Sequence, residues 1–81
     1  MGDTEENRLA EQTRARIDGT ERIVRQIDTT KLARDQQETL MTIQSFVAKA
    51  KEALSTRDLQ RAFNLADKAR VLADELSRAV R

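Results

Sequence analysis

The sequence predicts an all-α protein, and three observations carry that prediction. Apolar residues recur at alternating steps of three and four along most of the chain, which is the period of one helix face. Ala, Leu, Arg, Glu, Gln and Lys dominate the composition, and these residues lose least on entering a helix. With no Pro and only two Gly, there is little material for β-turns or phosphate-binding loops. The length of 81 residues allows one small domain. Leaving out Met1, the chain has 19 large apolar side chains, too few for a compact globule but enough for a narrow seam. The expected fold is an elongated antiparallel three-helix bundle with helices at about residues 4–27, 34–55 and 58–80, each roughly 33 Å long at 1.5 Å per residue.

The first helix carries Ala10, Thr13, Ile17, Thr20, Val24 and Ile27 on its seam, with Leu9 and Ile23 beside it. Asp3 and Glu6 place acids in its first turn, where they complement the helix dipole. Two of its seam positions are Thr and Gly19 interrupts its middle, so it is expected to pack most weakly. Asp28-Thr29-Thr30 ends it, because short polar side chains compete for backbone hydrogen bonds. Leu32 is expected to fold back over this loop, and Asp35-x-x-Glu38 reads as the next helix start.

The second helix carries Leu40, Ile43, Val47, Ala50 and Leu54, and Phe46 and Ala53 widen the stripe. A wide stripe implies contact from two sides, so this helix is expected to be central. Ser55-x-x-Asp58 has the spacing of a capping box at a short turn, which makes the second and third helices antiparallel neighbours. The third helix carries Leu59, Ala62, Ala66, Ala69, Ala73, Leu76 and Val80, with Leu65 and Leu72 along one edge and Phe63 along the other. Four successive Ala on one seam allow a close helix–helix approach.

Charge supports the same picture. Asp18 and Arg22, Glu21 and Arg25, and Asp74 and Arg78 stand acid before base at helical spacing. Residues 1–28 carry seven acids and five bases, whereas residues 57–81 carry six bases and four acids, so the first helix would lie favourably beside the third. The skew to 11 Arg over four Lys fits GC-rich bacterial coding.

The stretch from Phe46 to Leu76 resembles a single tetratricopeptide-type helical hairpin. Ala62 and Ala69 match the packing alanines of that repeat's second helix, and Ala50 and Ala53 fall where its first helix needs small residues. Arg57-Asp58-Leu59 stands at the turn where the family shows Gly, then Asp or Asn, then an aromatic. The turn Gly, the large aromatics and the terminal Pro of the family are missing here. One hairpin of this kind, where about three are normally needed for stability, does not imply a peptide-binding superhelix.

Composition excludes several function classes. Without Cys or His there is no thiolate nucleophile, no zinc site of the usual kind and no imidazole base. No acid falls on an apolar seam, where burial would tune a catalytic carboxylate, so no catalytic residue, metal ligand or cofactor site is assigned. No run of 18 apolar residues is present, so membrane insertion is not expected; the compartment is left open between cytoplasm and periplasm.

The expectation is a non-enzymatic protein–protein interaction or structural module, one helical domain over residues 1–81 and part of a longer bacterial chain. It would recognise a helix face through a groove or edge beside the first two helices. Ile23, Met41, Phe46 and Phe63 are the candidate partner-binding residues, on a protein partner or a second copy of the chain. The alternative is a nucleic-acid-binding accessory domain using Arg57, Arg61 and Lys68. Interleaved Asp58, Asp67, Asp74 and Glu75, with a pI near 8.2, argue against that alternative.

Overall fold

The computed structural model describes residues 4–80. Among them the elements are helix α1 (Thr4–Arg25), a single 3-10 turn at Thr29–Lys31, helix α2 (Arg34–Ser55) and helix α3 (Leu59–Ala79). The molecule is an all-α three-helix rod, 49 Å long and 17 by 14 Å across. Cross-helix contacts fix the directions. Glu6 meets Arg57 and Arg16 meets Asp67, so α1 and α3 run parallel, and α2 runs antiparallel between them in the chain. Asp3, half of the acidic start expected for α1, lies outside the described residues.

The central helix is α3, not α2. Helices α1 and α2 each pack along α3 and touch each other far less. Ala62, Ala66, Ala69 and Ala73 have no accessible surface, and buried Leu59 and Leu76 close the two ends of that seam. A methyl group is the largest obstacle over these turns, so both neighbours approach the α3 backbone. The larger core side chains, Ile17, Ile27, Leu32, Ile43, Val47 and Leu76, gather with three of these alanines in one cluster that extends to the α1–α2 loop. Leu32 does fold back into the core from that loop.

Buried Thr13 and Thr20 are the two polar interruptions of the α1 seam. Each hydroxyl donates to the carbonyl one turn earlier, Leu9 O and Arg16 O, at 2.8 Å. Both are thereby satisfied inside their own helix, and the methyl faces the core.

The helix bounds fall within two residues of those expected, and α2 spans residues 34–55 as expected, but the capping differs. Asp28 caps the 3-10 turn, its Oδ1 accepting from the Thr30 N–H at 3.1 Å and the Thr30 hydroxyl at 2.6 Å. The N-cap of α2 is Ala33, whose N–H donates to Gln36 Oε1 at 2.9 Å, so the helix starts ahead of the expected Asp35–Glu38 pair. Ser55 does not cap α3. It is still helical, and its hydroxyl donates back to Glu52 O at 2.6 Å. Asp58 is the N-cap by position and makes no side-chain cap bond. Helix α2 ends instead through a left-handed residue, Arg57, with φ 62°. The Asp58 N–H donates to Ala53 O at 2.9 Å and the Arg57 N–H to Leu54 O at 3.0 Å, the paired bonds of a Schellman ending.

None of the three expected intrahelical charge pairs, Asp18–Arg22 included, is among the ion pairs of the described residues, and two of the acids pair elsewhere. Glu21 reaches across to Lys51 of α2 at 2.7 Å rather than along to Arg25. Asp74 pairs backward with Arg70 at 3.3 Å rather than forward with Arg78. The expected polarity, an acidic first helix against the basic third segment, holds for Glu6–Arg57 and is reversed at Arg16–Asp67.

Candidate functional site

Because α1 and α2 both lean on α3, a groove opens between them on the opposite side. It encloses about 460 Å³ and is lined by Thr20, Glu21, Val24 and Arg25 of α1 and by Ile43, Gln44, Val47, Ala48 and Lys51 of α2. Thr20, Ile43 and Val47 form a buried floor, and Val24 is half-buried on one wall. Gln44, Ala48 and Lys51 stand exposed on the other wall, one helical turn apart. The Glu21–Lys51 ion pair joins the two walls at the rim. Both side chains are more than a third exposed, so the pair contributes well under about 1 kcal/mol and sets register more than strength.

The groove is apolar below, polar at the rim and open along its length. Its charged side chains, Glu21, Arg25 and Lys51, stand at the rim, and the Thr20 hydroxyl in its floor donates to Arg16 O within α1. Among the described residues the buried polar side chains are Thr13 and Thr20, and no three acids gather as a metal site requires. The arrangement can hold an apolar surface and orient it by the charges at its edge.

The four candidate docking residues do not converge on this groove. Ile23 is half-buried against the core cluster. Phe46 is likewise half-buried and borders a shallow hollow with Asp67, Lys68, Val71 and Leu72, on the α2–α3 side of the rod. Phe63 lies half-buried beneath the Arg16 guanidinium, whose carbon is 5.2 Å from the ring centroid. Met41 alone is strongly exposed, at 67%, and helical spacing places it on the same flank of α2 as Gln44 and Ala48. Sequence reasoning counted Val24, Ile43 and Val47 as seam residues and missed that they also line an opening. The signal was the breadth of the α2 stripe, part of which borders the groove.

The basic residues of the alternative reading are also dispersed. Arg57 precedes α3, and its guanidinium turns to Glu6 of α1 at 3.4 Å. Arg61 and Lys68 are exposed and share one face of α3, seven residues apart. No helix among the described residues is long and apolar enough to cross a membrane. Compared with known protein families, curated proteins and solved structures, the chain matches none.

Proposed function

We propose that this protein is a non-enzymatic interaction module whose α1–α2 groove receives an amphipathic helix from a protein partner. The observation that supports the reading is the groove itself. Two helices resting on a third leave open the fourth position of a four-helix bundle, with an apolar floor already in place. A helix laid there would rest on buried Val47 and cover Val24 and Ala48, and Met41 would extend the contact further along α2. With Lys51 already paired to Glu21, Arg25 leaves the rim an excess positive charge, which favours an acidic residue flanking the apolar stripe of the incoming helix. The α2–α3 hairpin serves as a tetratricopeptide-like platform in this reading. Buried Ala62 and Ala69, and a left-handed Arg57 where that family has Gly, support it.

Site-specific photocrosslinking tests the proposal. A photoreactive side chain at Ala48 is expected to trap a discrete partner in cells of the source organism, and one at exposed Glu38, away from the groove lining, is not. Val24→Glu should abolish the Ala48 adduct while the purified protein keeps its helical circular dichroism. Equal adducts from both positions, or none from Ala48, would overturn the reading.

A further inference from the structure

A second surface, on the other edge of α1, carries different chemistry. Gln12, Ala15 and Arg16 of α1 and Arg70 of α3 line a hollow of about 300 Å³. Two guanidiniums brought to one hollow repel each other unless anions compensate them. Here each has a carboxylate on one edge only. Asp67 Oδ1 sits 3.3 Å from Arg16 Nε, and Asp74 Oδ2 sits 3.3 Å from Arg70 Nε. In both arginines the carboxylate is met through Nε and not through the Nη fork that grips planar or tetrahedral oxyanions.

The fold holds both forks in place. The Phe63 ring lies under the Arg16 guanidinium and limits how it swings. The Arg16 Nε is buried without an aligned hydrogen bond, so this arginine is held by charge and stacking. Arg70 lies across Gly19, where a Cβ would come within 2.5 Å of its Nη1. A glycine in mid-helix is unfavourable by about 1 kcal/mol relative to Ala. At this position its missing side chain is the space the Arg70 guanidinium occupies.

We infer that Arg16 and Arg70, with Gln12 one turn before Arg16 on α1, form a binding site for a phosphate-type oxyanion, free or esterified on a partner. The Asp67 and Asp74 carboxylates hold the inner edges, and the anion takes the outer ones.

Nuclear magnetic resonance of the whole chain at about 50 mM salt tests this, with inorganic phosphate as one titrant and O-phosphoserine as the other. The expected result is saturable shifts at the Gly19 amide, the Gln12 side-chain amide and the Nε–Hε of Arg16 and Arg70. Tighter binding of phosphoserine assigns the esterified source, and tighter binding of inorganic phosphate the free ion. Arg70→Gln should weaken the binding at least tenfold and Arg61→Gln leave it unchanged. Gly19→Ala separates site from scaffold, because it should raise the melting temperature by about 4 °C or more while loosening phosphate at least fivefold. Shifts that rise linearly with both titrants, spread equally to Arg61, or survive Arg70→Gln and Gly19→Ala would overturn the site.

Discussion

Arg57 holds its backbone at φ 62°, a conformation that costs an L-residue with a side chain roughly 1–2 kcal/mol. Its return is a Schellman ending that satisfies Ala53 O and Leu54 O, and an exposed ion pair with Glu6 at 3.4 Å. The pair is half-exposed and contributes between zero and about 1 kcal/mol. Arg57→Gly is therefore expected to stabilise the fold by roughly 1 kcal/mol, a rise of about 4–8 °C in Tm for a domain of this size. Thermal unfolding followed by circular dichroism checks it. A fall in Tm would mean that the tether to α1 outweighs the backbone strain. The sequence shows an Arg at the turn where a Gly belongs but not the sign of φ there, because the turn closes through carbonyls that no residue type announces.

Among the elements, α3 carries the closest packing with the smallest side chains. The Ala spacing was legible in the sequence because small residues at seam positions have few other uses in a helix this rich in charge. The rank of the helices was not. A wide apolar stripe measures how much oil a helix displays, whereas centrality depends on how near its neighbours come. Leu40 and Leu54 of the α2 seam and Phe46 beside it remain half-buried, while the narrower Ala seam of α3 is wholly covered. Ala69→Leu should therefore cost about 1–3 kcal/mol by forcing α1 or α2 outward, against a helix propensity that barely changes. An unchanged Tm by calorimetry would show that the seam has slack. The cap positions were the least legible feature, since Gln36 and the left-handed Arg57 do work that the Asp35–Glu38 and Ser55–Asp58 spacings advertise.

For the whole molecule, the helical spacing was enough to place three helices, to bring α2 and α3 into antiparallel contact and to make the shape a rod. The groove was legible only as an expectation of some opening beside the first two helices, because its walls are seam residues seen from behind. The connections within the rod are unequal in length. Helices α2 and α3 are neighbours through a tight turn, whereas α1 reaches α3 through contacts such as Glu6–Arg57 and Arg16–Asp67, separated by 51 residues in both cases. Closing that longer loop costs more chain entropy. Three of the four ion pairs among the described residues attach α1 to the rest, and in each of the three both side chains are more than a third exposed. Amide hydrogen exchange is expected to be fastest in α1 and slowest in the Ala62–Ala73 stretch of α3. Uniform protection across the three helices would show a single cooperative unit.

That inequality gives the first helix a second role. The groove against α2 and the hollow at Arg16 and Arg70 both have α1 as one wall, so each exists only while α1 is seated. A guest in either opening would act as a clasp on the helix with the longest tether, and release of α1 would empty both at once. Occupancy of one cleft and occupancy of the other are then coupled through a single docking equilibrium, with no conformational signal passing through the core.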